Sequence, residues 1–430
     1  MGFSNLFRRK ANHGAELKEQ VRQNDAPAAN ATTDAQLFAK IRDFSRQLSE
    51  PFVNKEEEAR LIALALITRE NIIFVSEPGT AKSALAMRAG ELTDSKFFKR
   101  QLSKFTAPEE LFGPLDIPAL TKESAYRMVT KGMLPEAELA FIDEIFRGGS
   151  AIRDTLLSIM NERKMFNGEK VVDVPIRSII SATNFVSYDE EDQAFYDRFL
   201  LRHFITPVEK KYWSELITAT FNAEFADSTK VKKTAISASD LTQLYDKIKE
   251  VDTSRIKDDL LKILIEVNER HNINFTDRRI GKTLKMIAAS AMLDGRKSAT
   301  VEDLAVLKYI LPADEEESKT VTEKLNDLIS PVNHLNRLGK LNENILLGTK
   351  ALREDPSASQ DIASDLETLA SASSYAKDLL KKHSNKELRR SARELIKNVA
   401  EQVDILNLLN EQRKAKTTEL VAVERNKVAS

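Results

Sequence analysis

The chain has 430 residues, two to four domains at roughly 150 residues each. With 42% hydrophobic and 30% charged residues it can bury sizeable cores, which excludes a wholly disordered chain, and its net charge of −1 argues against a dedicated polyanion binder. Cysteine is absent and five histidines are scattered at 13, 203, 271, 334 and 383, so disulfides, cysteine–zinc sites, iron–sulfur clusters, cysteine nucleophiles and a histidine-built metal site are not expected.

Residues 1–35 read as a flexible tail, with Asn, Ala, Thr and Asp dominating 24–35. Phe3, Leu6 and Phe7 beside Arg8, Arg9 and Lys10 leave open a short helix that touches a partner or a membrane, or an unstructured terminus. The first residues lack an apolar signal core, Leu6 breaks the myristoylation pattern, and no apolar run approaches the ~20 residues of a membrane span, so a cytoplasmic chain is expected. From 36 onward Leu37, Ile41, Phe44 and Leu48 fall on one helical face. A second helix begins near Lys55, with Glu56, Glu57 and Glu58 in its first turn, where carboxylates suit the helix dipole. Asn71–Val75 reads as a buried strand. Helical and strand-like segments then alternate to about 206, the pattern of an α/β domain with a mostly parallel sheet over 36–208. Asn167-Gly168 between two short strands signals a hairpin. Past Pro207 the strands stop, and 240–251, 254–272, 277–294 and 301–311 read as helices, the last capped by Thr300 with Asp303. Residues 313–430 read as a charged helical extension with breakers at Pro331 and Pro356; Ile362, Leu366 and Leu369 keep helical spacing within the Ser/Ala-rich 357–374.

The most informative segment runs from the strand 72–75 into Ser76-Glu77-Pro78-Gly79-Thr80-Ala81-Lys82-Ser83-Ala84 and a helix. A tight loop leading into a helix N-terminus turns backbone N–H groups toward phosphates, a lysine adds a point charge, and a following hydroxyl suits Mg²⁺. Ser76 and Ala81 stand where the strict G-x-x-x-x-G-K-[ST] pattern has glycine. Leu139-Ala140-Phe141-Ile142 ends in Asp143-Glu144, and adjacent acids at the end of a buried strand suit an Mg²⁺-orienting carboxylate and a water-polarising one. A third apolar run, 179–182, leads to Thr183-Asn184, where Asn184 reads as a holder of water or γ-phosphate, or as a turn former.

These segments, with Thr106-Ala107-Pro108-Glu109-Glu110-Leu111-Phe112-Gly113-Pro114, Gly132-Met133-Leu134-Pro135-Glu136-Ala137, Leu156-Leu157-Ser158-Ile159-Met160-Asn161-Glu162-Arg163 and Tyr196-Asp197-Arg198-Phe199, resemble an AAA+ ATPase of the MoxR group, closest to its RavA-like branch, over roughly 37–312. The resemblance implies an AAA+ P-loop parallel-sheet core (36–208) and an all-helical linker and lid (209–312); it does not extend over 313–430, whose own pattern marks a helical accessory domain. It implies ATP and Mg²⁺ as ligands, with Lys82 and Ser83 as the Walker A pair, Asp143 and Glu144 as Walker B, and Asn184 as sensor 1. Arg198 is then the arginine finger and Arg278 sensor 2, with Arg279 as its rival. It also places two hairpins, 117–131 and 164–176, near a pore; Tyr126, Met128 and Phe166 there either grip a client or pack on the core. The implied assembly is a homo-oligomeric ring, usually a hexamer, acting on a protein client with a von Willebrand A-domain partner. The leading expectation is an ATP-hydrolysing remodelling chaperone. A nucleic-acid motor, disfavoured by the charge balance, and a nucleotide-gated scaffold with weak hydrolysis are the alternatives.

Overall fold

The computed structural model describes residues 33–186, 189–225, 235–355, 359, 361–383 and 385–428. The tail, with Phe3, Leu6 and Phe7, lies outside them up to residue 32. Helix α1 (Asp34–Ser49) begins two residues before the expected start, because Thr33 and Gln36 form a reciprocal capping box. Its Leu37, Ile41, Phe44 and Leu48 are all fully buried, as their spacing requires. Helix α2 (Glu56–Thr68) is buried on nearly every side and stops at Arg69 in the left-handed conformation.

Strands β1 (Asn71–Val75), β2 (Phe97–Gln101), β3 (Leu139–Asp143), β6 (Ser178–Thr183) and β7 (Phe199–Phe204) form a five-stranded sheet in the order β2-β3-β6-β1-β7, every pairing parallel. Its central strands are covered on both faces, which is why they read as unbroken apolar runs. Helices α3 (Lys82–Thr93), α4 (Glu109–Phe112), α5 (Ile117–Glu123), α6 (Ser150–Glu162) and α7 (Glu190–Tyr196) lie between the strands in sequence. One buried cluster gathers α1, α2 and α3 with the later helices; a second gathers α6 with Phe195, Tyr196 and Phe199. The chain leaves central β1 for edge strand β2, so the order reverses beside β1 and opens a crevice at the carboxyl ends of the strands.

Strands β4 (Lys164–Asn167) and β5 (Lys170–Asp173) make the expected antiparallel hairpin. The 117–131 segment is not a hairpin: Asp116 accepts the Ala119 N–H and Pro118 sits in the first turn, so the chain starts a helix instead, α5, and returns through a single bridge, Leu115 to Met128. Asn167 ties the two pieces together, accepting the Met128 N–H at 2.6 Å and donating to the Met128 carbonyl at 3.1 Å. Gly168 is required there twice, by its φ of +64° and because a Cβ would meet the Tyr126 carbonyl oxygen.

Beyond β7 the described chain is helical: α8 (Trp213–Glu224), α9 (Ala238–Lys247), α10 (Lys257–His271), α11 (Asp277–Leu293), a 3₁₀ run Val301–Tyr309 capped by Thr300 and Asp303, then α12 (Glu315–Ile329), α13 (Pro331–Glu354), α14 (Ile362–Lys382) and α15 (Lys386–Val428). Helix α12 differs from the expected division at 312: Val321 and Leu325 are buried in the cluster that holds α10 and α11. Helices α13, α14 and α15 bury their own cluster around Leu338, Leu369, Leu388 and Leu395. That bundle meets the preceding helices through polar pairs, Lys382 to Asp259 at 2.8 Å and His383 to Glu302 at 3.1 Å. No helix among the described residues is long and apolar enough to cross a membrane.

Candidate nucleotide site

Strand register sets the site. Val75 pairs with Thr183, Asp143 with Ala182, and Gln101 with Asp143, so the loops after β1, β3 and β6 leave the sheet at one level. Glu77, Pro78, Gly79, Thr80, Ala81, Lys82, Ser83, Ala84, Asp143, Glu144 and Asn184 all line one cavity of about 1190 Å³ there.

The loop after β1 turns through two left-handed residues, Gly79 at φ +85° and Ala81 at φ +64°, and α3 begins at Lys82. Ala81 therefore holds a conformation that glycine adopts freely and alanine does not. The Lys82 ammonium donates to Ser76 Oγ at 2.7 Å and to the Glu77 carbonyl at 2.9 Å. Ser76 Oγ also shares a 2.7 Å hydrogen bond with Thr80 Oγ1. Ser76 thus fills the first glycine position with a hydroxyl that laces the loop together. Burial lowers the Lys82 pKa, against the pull of Asp143 and Glu144.

On β3, Asp143 Oδ1 accepts the Glu144 N–H at 3.0 Å, and Glu144 turns left-handed at φ +53°. Glu144 Oε2 is buried without a hydrogen-bond partner; Arg147 Nε lies 3.1 Å away, close enough for charge attraction but without hydrogen-bonding geometry. Among the described residues no group of three or more acidic or histidine side chains forms a metal site of its own. Magnesium commonly takes one or two carboxylates and completes its shell from phosphates and water, and Asp143 with Ser83 on one cavity wall fits that chemistry.

The opposite wall was not anticipated from sequence. Pro51, Phe52 and Val53 from the α1–α2 turn, Pro207 and Val208 after β7, and Trp213, Leu216, Ala219 and Thr220 on α8 close the cavity with largely apolar groups. Lys55 also lines it, held by a buried 2.7 Å ion pair to Glu58. The available signal was the apolar content of both segments flanking the core.

Arg198 and Arg278 do not line this cavity. Arg198 Nη1 donates to the Ala194 carbonyl at 3.4 Å, and its Nε is buried without a partner. Burial and then the charge of Arg278 lower the Arg198 pKa. Arg279 does something else. It is 3% exposed, pairs with Asp197 at 2.9 Å and donates to the carbonyls of Ile310 and Leu311. Asp197 also accepts from Thr276 and lies 3.7 Å from the buried Arg202. A buried charge network therefore pins α11 to the turn before β7, through the chain neighbours of Arg198 and Arg278.

A family model described as the MoxR domain in the MoxR-vWA-beta-propeller ternary systems matches residues 39–246, and an AAA lid domain model matches 255–325. Two uncharacterized proteins of Methanocaldococcus jannaschii are similar: one is 33% identical over 68% of this chain and 76% of its own length, the other 34% identical over 64% and 71%. A structural protein of Acidianus two-tailed virus is 28% identical over 68% of this chain and 52% of its own length. The crystal structure of a proposed ATPase from Cytophaga hutchinsonii shares the fold, with a TM-score of 0.57 and 15% identity over 72% of this chain and 97% of that one.

Proposed function

The chain belongs to the MoxR family of AAA+ ATPases, and on that premise we propose that it hydrolyses ATP as a homo-oligomeric ring, of six copies as is usual in the resemblance, and remodels a partner protein. The observation that carries the reading is the incomplete cavity: it holds Lys82, Asp143, Glu144 and Asn184, but neither Arg198 nor Arg278. In this reading the loop amides and Lys82 hold the phosphates, Glu144 polarises the attacking water, and Asn184 orients it. Mg²⁺, held by Ser83 and Asp143, would neutralise charge on the phosphates. Arg198 and Arg278 reach the phosphates of a neighbouring copy, which makes turnover depend on assembly.

We place the chain in the RavA-like branch, in the cytoplasm, with a partner that carries a von Willebrand A domain; the description of the matching MoxR model, which names such systems, supports the partner. Tyr126 and Phe166, 64% and 68% exposed on adjoining segments, are the residues proposed to grip a client, whereas Met128 packs inward. The near-neutral charge speaks against nucleic acid as the substrate.

A mixing experiment tests the reading. Glu144→Gln should bind ATP and lose turnover by at least about 10²-fold. Arg198→Ala should lose about 10³-fold. Mixed, some interfaces pair an intact Glu144 with an intact Arg198, and part of the activity returns. No recovery in rings shown to be mixed places Arg198 in its own chain's chemistry or in its fold. Turnover stimulated by single- or double-stranded DNA would favour the nucleic-acid motor.

A further inference from the structure

Helix α8 has two apolar faces. Leu216, Ala219 and Thr220 line the nucleotide cavity, as does Trp213 at the start of the helix. Trp213, Ile217, Phe221 and Phe225 follow at every fourth position and are 51%, 71%, 63% and 73% exposed. The Phe221 and Phe225 rings lie 5.0 Å apart. Scattered exposed apolar residues are ordinary, but four large ones aligned along thirteen positions form a patch that needs cover.

Resting on the ring reading above, we propose that this stripe docks against a second copy of this chain, the copy that delivers Arg198 and Arg278. The argument is one of place. The cavity lacks those arginines from its own chain, so a neighbour must close over its rim, and α8 is part of that rim. A surface flanking the point of delivery cannot stay in water when the neighbour arrives. The same helix then touches nucleotide on one side and neighbour on the other, so contact with nucleotide is passed to the subunit interface through a single helix.

Trp213 is the chain's one tryptophan and stands at the head of the stripe. The unmodified protein therefore reports on its own contact. At a fixed saturating concentration of a non-hydrolysable ATP analogue, raising the protein concentration should shift Trp213 emission to the blue and reduce acrylamide quenching, in step with assembly measured by sedimentation. Holding nucleotide constant separates assembly from ligand contact. The double substitution Ile217→Asp with Phe221→Asp touches neither the cavity nor the arginines. It should raise the assembly midpoint at least tenfold and lower turnover in parallel, with affinity for the analogue unchanged. Assembly of that variant at the ordinary concentration, or a Trp213 signal flat across the assembly transition, overturns the proposal. The latter holds even if the variant fails to fold. A stripe covered by a client, or by another part of the same chain, leaves assembly of the variant intact and overturns it equally. If the unmodified chain stays monomeric with nucleotide, the ring reading itself fails, an outcome distinct from assembly that ignores the stripe.

Discussion

At the scale of single residues, the departure from the usual loop pattern carries the clearest consequence. Ser76 Oγ accepts from the Lys82 ammonium at 2.7 Å, beside the Glu77 carbonyl at 2.9 Å, and also bonds Thr80. A lysine committed to the loop must release Ser76 to meet a phosphate. A hydrogen bond to a charged group is worth about 1.5–3 kcal/mol, and partial exposure of Lys82 brings this nearer the lower figure. Ser76→Ala should therefore lower the melting temperature of the nucleotide-free protein. It should also strengthen ATP binding, by up to about tenfold for 1.4 kcal/mol released. Calorimetry of ATP binding beside thermal unfolding checks both signs; weaker binding in Ser76→Ala would show that the hydroxyl helps hold nucleotide instead. Arg279 teaches the complementary lesson. Two adjacent arginines at the start of α11 are indistinguishable in sequence, and only the packing shows that Arg279 is spent on Asp197 and two carbonyls.

At the scale of elements, β7 meets the lid through His203, which sits edge-on to Phe74 and to Tyr309, with Glu58 Oε1 3.9 Å from its Nε2. Burial lowers its pKa; Glu57 and Glu58 pull upward, and Lys308 and Lys55 push downward. The unfolded chain then takes up this proton more readily than the folded one. The stability so gained is complete above the unfolded value of about 6.5 and is lost as pH falls below it. The melting temperature should drop between pH 7.5 and 5.5, and His203→Phe should flatten that slope; an unchanged slope assigns the acid sensitivity to other groups. The elements themselves were largely legible. Strands buried on both faces declare themselves as apolar runs, and Asp143-Glu144 and Asn184 stand out because they end such runs at the carboxyl ends of the strands. Helix α5, Ile117–Glu123, was hidden because resemblance suggested a hairpin while Asp116 and Pro118 carried a helix start. The apolar cavity wall was hidden because its pieces, around Phe52 and Trp213, lie about 160 positions apart and meet only in the fold.

At the scale of the whole molecule, the question is where the motor ends. Charge density and the acidic run after Pro312 suggest a junction there, but a charged helix can still bury one face. Helix α12 does so, with Val321 at 0% and Leu325 at 2% exposure among the lid residues. Burial of each such side chain contributes about 1.5–3 kcal/mol. A chain ending at Ala313 should thus lose roughly 3–6 kcal/mol, a large share of a typical domain's 5–15 kcal/mol. A chain ending at Ser330 keeps both side chains and loses only the bundle α13–α15. Ion pairs tie the bundle to the lid, Lys382 to Asp259 and His383 to Glu302, and removing it opens Asp259 and Glu302 to water rather than stranding them inside. We therefore expect the chain cut after Ser330 to melt within a few degrees of the full chain and to hydrolyse ATP at a comparable rate. The chain cut after Ala313 should melt far lower. Thermal unfolding and phosphate release on the two truncations decide the matter. If turnover or assembly is lost after the cut at Ser330, the bundle fixes the angle of the lid and belongs to the motor; if both survive, the bundle is free to serve partner choice.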